Sequence, residues 1–119
     1  MPEPADYTGS CHCGAVRFEA TADLASLYRC NCSLCTRLGV LWNVVPPGQF
    51  ALRSGEDALA DYQFGRRSIH HRFCRTCGVE CFAPGTMPDG TAVVGINVRC
   101  LDGVDPDTLA TTLFNGRDL

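Results

Sequence analysis

The sequence predicts a mainly β, small single domain with few short helices, stapled by cysteines that bind metal. Three observations lead there. Apolar and polar residues alternate over short runs, turn-forming dipeptides cut these runs apart, and seven of the nine cysteines fall into tight groups. With 119 residues and 45% hydrophobic composition, the chain suffices for one core and little more. Small sheets around one modest core need extra staples, and the grouped cysteines are the candidates.

The chain opens on Met-Pro-Glu-Pro-Ala-Asp, acidic and interrupted by proline, without the basic start and apolar stretch of a secretory signal. Residues 1–8 are expected to form a flexible N-terminal segment and residues 9–119 the domain. From Gly14 to Ala20, Val16 and Phe18 share one face and Arg17 and Glu19 the other, as in a half-buried strand. Gly39 to Val45 and Ile69 to Phe73 are further strand candidates, with Ile69, His71 and Phe73 on one face. Val94, Ile96, Val98 and Cys100 repeat the same period, which makes Cys100 a buried small hydrophobe. Ser54 and Asp57 predict a capped turn before the strand-like Tyr62-Gln63-Phe64. Asp105 and Pro106 predict a helix start, with Leu109 and Leu113 four apart on one side. Pro-Gly, Pro-Asp-Gly and Asp-Gly at 84–85, 88–90 and 102–103 end the remaining segments.

The longest uncharged run, Leu38 to Leu52, contains Asn43, Pro46, Pro47, Gly48 and Gln49 and falls short of the roughly 18 apolar residues of a membrane span. No membrane partner is expected, and a cytoplasmic location follows. In a reducing compartment paired cysteines read as metal or redox sites before disulfides, and an odd count of nine argues against full pairing. Net charge is -3 with no lysine at all, so the broad basic field of a nucleic-acid binder is missing. Codon bias toward arginine accounts for the missing lysine. Charge is uneven, however. Arg66, Arg67, Arg72 and Arg75 stand with His70 and His71 in one acid-free stretch, either a solvated strand edge or a rim for carboxylates.

Cys74-Arg75-Thr76-Cys77-Gly78 is the most specific motif. Two cysteines three apart turn both sulfurs onto one metal when the chain between them folds into a knuckle, and Gly78 permits the positive φ such a turn needs. A redox pair would call for a βαβ context that is missing. Cys11 and Cys13 form a second pair, at a spacing that puts both side chains on one side of an extended segment. Cys30, Cys32 and Cys35 place three ligands in six residues. Keeping each group intact gives Cys11, Cys13, Cys74 and Cys77 one structural zinc and Cys30, Cys32 and Cys35 another, with one position open. A closed second site, with a fourth ligand from His12, His70, His71, Cys81 or Cys100, is the alternative. Two Zn²⁺ per chain are expected in either case.

These runs resemble a known family. Gly9-Ser10-Cys11-His12-Cys13-Gly14-Ala15-Val16, Cys30-Asn31-Cys32-Ser33-Leu34-Cys35 and Phe73-Cys74-Arg75-Thr76-Cys77-Gly78 are similar to the glutathione-dependent formaldehyde-activating enzyme and centromere protein V family. Ser54-Gly55-Glu56-Asp57, Tyr62-Gln63-Phe64-Gly65 and Asn97-Val98-Arg99-Cys100-Leu101-Asp102 extend the likeness over nearly the whole chain. The resemblance implies a tent-like, Mss4-like β fold, a four-cysteine structural zinc and a three-cysteine catalytic zinc. It also implies carbon-sulfur lyase chemistry, the joining of formaldehyde to glutathione as S-(hydroxymethyl)glutathione.

The ligand set fits that chemistry. Three thiolates quench the Lewis acidity of Zn²⁺ and suit a soft fourth ligand, so a thiol can bind there, lose its proton and attack an aldehyde carbon. Arg37, His70, His71 and Arg99 are the candidates for substrate contacts or proton transfer. Trp42 is either a pocket wall or a plain core aromatic. Since thiols add to aldehydes unaided, a zinc-dependent thiol-binding or carrier protein is one alternative, and a zinc-stabilised protein-interaction module another.

Overall fold

In a computed structural model, which describes residues 4–118, ten strands form two sheets. Strands β1 (Ala5–Ser10), β2 (Arg17–Ala22) and β5 (Phe50–Ser54) make a three-stranded antiparallel sheet in the order β1-β2-β5. The second sheet has seven strands: β3 (Tyr28–Cys30), β4 (Leu41–Val45), β6 (Leu59–Tyr62), β7 (His71–Cys74), β8 (Glu80–Thr86), β9 (Ala92–Asn97) and β10 (Thr112–Phe114). Their order is β10-β3-β4-β9-β8-β7-β6, antiparallel except for β10, which lies parallel to β3. The one α-helix among the described residues, α1 (Ser33–Leu38), follows β3 directly. None of these helices is long and apolar enough to cross a membrane.

The alternation read at Val16 and Phe18 holds, since both are buried while Arg17 and Glu19 are exposed. Those side chains face the larger sheet, where Val94 and Ile96 of β9, Leu41 and Val45 of β4 and Phe82 of β8 complete the main core. Phe50 bridges the layers, its ring centroid 5.6 Å from Phe18 and 4.5 Å from Phe82. At such distances an aromatic pair adds about 0.5–1.5 kcal/mol beyond its buried area.

Several expectations are displaced. β1 begins at Ala5, ahead of the domain start placed at residue 9, because residues 5–8 pair in turn with Ala22, Thr21, Ala20 and Glu19. Residues 1–3 and 119 lie outside the described residues. Cys11 to Cys13 is a turn and not an extended segment: the Cys11 N–H donates to the Val16 carbonyl at 3.0 Å, the Gly14 N–H to the Cys11 carbonyl, and Gly14 has φ 83°. The turn after Ser54 exists as the 3-10 segment Glu56–Ala58, but Gly55 caps it through its left-handed backbone and no side chain does. Asp105 does cap, accepting from the Asp107 N–H, yet only one 3-10 turn follows (Pro106–Thr108). Leu113 then belongs to β10, so the proposed helix face with Leu109 does not form. β9 ends at Asn97, and Cys100 closes a 3-10 turn, half-buried and out of the strand's phase.

A bulge in the β7–β8 pairing shapes the other face of the large sheet. Arg72 pairs with Phe82 but Phe73 with Glu80, which leaves Cys81 as the extra residue. Cys81 and Phe82 thus both enter the core, and Glu80 turns to meet His71, Oε2 to Nδ1 at 2.8 Å, with both residues buried.

Candidate metal centres

The fold brings the seven cysteines together as two clusters. Cys11 and Cys13 lie in the turn between β1 and β2, Cys74 at the end of β7 and Cys77 in the turn to β8, and their sulfurs all lie within 4.8 Å of one another. Sulfurs about 2.3 Å from a central Zn²⁺ form a tetrahedron with edges of about 3.8 Å. The Cys13 Sγ stands 3.6 Å from both Cys11 Sγ and Cys74 Sγ, close to that edge. Both halves are knuckles. The Gly78 N–H donates to the Cys74 carbonyl at 2.8 Å, Gly78 has the expected positive φ of 81°, and backbone N–H groups of Val16 and Thr76 donate to the Cys11 and Cys74 sulfurs. Because one pair hangs from each sheet, a metal here ties the two layers together.

Within this donor set the Cys77 N–H holds the Cys74 thiol below its ordinary range, whereas Cys13, against the donor at Ala15, is pushed up to about 11 by the Cys74 thiol, burial and the Cys11 and Cys77 thiols. Burial works against the Cys77 thiolate, but the backbone N–H groups of Cys13 and Val79 and the sulfurs of Cys11 and Cys74 bring it down to about 6. Thiolates gathered at tetrahedral spacing and fed by amide donors fit Zn²⁺ or another thiophilic ion.

Cys30, Cys32 and Cys35 form the second cluster, again with sulfurs within 4.8 Å. Cys30 ends β3, Cys32 is the N-cap of α1 and Cys35 lies in its first turn. The helix escapes a composition reading because its cap is a sulfur: the Cys35 N–H donates to Cys32 Sγ at 3.3 Å, where serine or aspartate would normally serve. Gly39, with φ 70°, closes the other end by donating to the Cys35 carbonyl. The Cys32 N–H donates to Cys30 Sγ at 3.4 Å, and the Trp42 indole N–H donates to Cys35 Sγ at 3.4 Å. Trp42 is the core aromatic, packed with Cys35, Val40 and Ala83, and its indole touches the cluster directly. Burial works against the Cys32 thiolate, while the Cys35 amide and the flanking thiols hold it below the ordinary thiol range. Burial also pushes Cys35 up, opposed by the Trp42 donor.

Among the described residues no fourth side chain completes this cluster. Of the candidates for that place, His70 is bound to Asp61 at 2.9 Å and His71 to Glu80, while Cys81 and Cys100 pack in or against the main core. His12 belongs to the turn of the four-cysteine cluster. Three sulfurs remain, a donor set that fits a thiophilic ion able to take an exchangeable ligand.

The substrate-contact candidates divide. Arg37 sits in the last turn of α1 and donates to the Ser33 carbonyl at 2.8 Å, and Arg99 Nε donates to the Gly39 carbonyl at 3.2 Å, so both guanidinium groups stand at the helix that carries Cys35. His70 lies instead at the outer strands, where Asp61 also lies 3.9 Å from Arg72. His71 is instead a buried histidine hydrogen-bonded to Glu80. Arg29 and the segment after β10 carry no recognisable motif, and Asn31, though inside the Cys30–Cys35 run, is not among the sequence candidates; only the close approach of Gly116 to the cluster gives a further signal, and that requires the fold.

A family model and a solved structure match most of the chain. The family model described as glutathione-dependent formaldehyde-activating enzyme matches residues 6–114. A crystal structure of a Rhodobacter sphaeroides protein, a Northeast Structural Genomics target, superposes with a TM-score of 0.81 at 34% sequence identity. It covers 90% of this chain and 99% of that one.

Proposed function

We propose that this chain, which belongs to the glutathione-dependent formaldehyde-activating enzyme family, binds two Zn²⁺ and acts at its three-cysteine centre as a carbon-sulfur lyase joining a thiol such as glutathione to an aldehyde such as formaldehyde. The observation that carries this reading is the three-sulfur cluster with no fourth side chain, beside a buried indole and two arginines. When bound there, Zn²⁺ supplies a soft site that lowers the pKa of an incoming thiol.

The chain's own residues do the rest. Cys30, Cys32 and Cys35 hold the ion, and the amide donors to Cys30 and Cys32 together with Trp42 Nε1 fix the sulfurs and withdraw charge from them. Arg37 and Arg99 offer planar donors to a thiol that carries carboxylates, as glutathione does; α1 carries Arg37, and the Gly39 carbonyl at its end holds Arg99. Bringing thiol and aldehyde together lowers the entropic barrier to carbon-sulfur bond formation. Cys11, Cys13, Cys74 and Cys77 hold the structural ion and take no part in the reaction.

Exchange NMR of formaldehyde with glutathione tests the proposal. Exchange accelerated by catalytic amounts of protein, and lost in Cys32→Ser, supports the enzyme. Thiol binding without acceleration points to a carrier, and neither effect leaves an interaction module.

A further inference from the structure

The three-cysteine cluster has a second wall that no motif announces. β10 runs parallel to β3 with Phe114 opposite Cys30, and the Asn31 N–H donates to the Phe114 carbonyl at 3.2 Å. Beyond β10 the chain turns back over the cluster, and Asn31 is the node that holds it. Asn31 Nδ2 donates to Asn115 Oδ1 at 2.9 Å, the Arg117 N–H donates to Asn31 Oδ1 at 2.9 Å, and Asn115 Nδ2 donates to Asp118 Oδ2 at 2.7 Å. Residues 115–118 follow the span matched by the family model.

The turn closes tightly on sulfur. A Cβ at Gly116 would stand 2.6 Å from Cys30 Sγ, 3.4 Å from the Phe114 ring and 3.5 Å from Cys32 Cβ. No real Cβ tolerates the first distance, and Cys30 cannot retreat while it shares an ion with Cys32 and Cys35. The space beside Cys30 is filled up to the bare backbone of Gly116, and the Cys35 side is filled by Trp42. Gly116 and Trp42 thus flank the outer sulfurs of the cluster, one beside Cys30 and the other beside Cys35.

We propose that residues 115–118 form a clasp over the three-cysteine centre, hung on Asn31, and that it restricts the open position to primary thiols, those whose sulfur sits on an unbranched CH₂. The substrate half of this inference rests on the thiol-binding reading above; the clasp itself does not. A tertiary thiol carries two extra methyl groups next to sulfur, which meet Gly116 on one side and the indole on the other. Glutathione satisfies the rule, and so does cysteine.

Cysteine and penicillamine, its β,β-dimethyl analogue, make a matched pair of probes with the same charges. Both are titrated into the Co²⁺-loaded full-length protein and followed by the thiolate-to-metal absorption. The expected result is a preference for cysteine of about tenfold or more, equivalent to about 1.4 kcal/mol. Asn31→Ala, which releases the clasp, should erase the preference, and Asn115→Ala should do so through the exposed partner alone. In metal-free protein, iodoacetamide should alkylate Cys30 faster in both variants than in the wild type, with Cys77 unchanged. Equal binding of both thiols by the wild type, or a preference that survives in both variants, overturns the size restriction. Unchanged alkylation of Cys30 overturns the clasp. Binding of neither thiol, with faster alkylation in the variants, sinks the thiol-binding reading and the size restriction while the clasp stands.

Discussion

The indole N–H of Trp42 donates to Cys35 Sγ at 3.4 Å, and Trp42 is the only tryptophan in the chain. Its emission therefore reports on the three-cysteine cluster and the side chains packed around it. Metal or thiol added to the protein should change that emission in wild type and not in Cys32→Ser. Trp42→Phe keeps the apolar body in the Val40 and Ala83 cluster but removes the donor. Loss of one such outer partner typically weakens metal binding by about 10–100-fold. Competition with a chromophoric chelator should show that loss for one of two equivalents, with the far-UV spectrum unchanged.

The two clusters should respond differently to loss of a ligand. Cys74 is fully buried and joins the β7–β8 knuckle to the β1–β2 turn across the layers. A structural Zn²⁺ site is worth about 10–16 kcal/mol in small zinc domains, more than the stability of most domains of this size. Cys74→Ser is thus expected to unfold the chain. Cys32→Ser breaks a cluster assembled from one local stretch, so circular dichroism should show a folded protein, and elemental analysis should find one zinc where wild type has two. Equal unfolding of the two variants would contradict the division of roles.

Which parts were legible in the sequence follows from how local their causes are. Cys74 to Gly78 closes its own turn through bonds within five residues, so its spacing alone announced it. The grouping of four and three cysteines was equally readable because Cys30, Cys32 and Cys35 keep to one loop and each of the other two pairs to one turn, so that leaving the triplet intact joins the pairs. Helix α1 was not, for it has six residues and a cysteine cap. β1 and β10 are polar or exposed edge strands whose register comes from their neighbours. Asn43 breaks the alternation of β4 by occupying a core position, and it does so because its Nδ2 reaches the Asp23 and Ser26 carbonyls, each at 3.0 Å. The bulge at Cys81 and the return of Gly116 onto Cys30 depend on partners far away in the chain, and no local pattern encodes either.

Acid should release the metal and weaken the fold. Every cysteine that leaves a metal takes up a proton, so affinity falls as pH falls. The Cys77 shift works in the same direction. Its thiol lies at about 6, below the ordinary 9.0, so above 9.0 its contribution to folding is fully present and it is lost as pH falls through about 6. Between those values the unfolded chain binds more protons at this site than the native one, and stability rises with pH. Denaturant midpoints with and without chelator should both be lower at about pH 5.5 than at about pH 8. A midpoint that rises on acidification would contradict the assignment of Cys77 as a thiolate ligand.

Glu80 is the remaining test of how the sheet is built. Its side chain is buried only because the bulge at Cys81 turns it toward His71, and its carbonyl accepts from Asn97 Nδ2 at 2.8 Å. Glu80→Ala leaves the Asn97 contact in place and strips His71 Nδ1 of its partner inside the protein. A buried polar atom without a partner costs about 1–3 kcal/mol, and Glu80→Gln should recover much of that by offering an amide oxygen at the same reach. Because the pair lies on β7 and β8 and the three-cysteine cluster on β3 and α1, both variants should retain two metals and unaltered Trp42 emission. Loss of thiol binding in Glu80→Gln at full stability would instead place His71 in the reaction, and the comparison of denaturation with Trp42 titration separates the two.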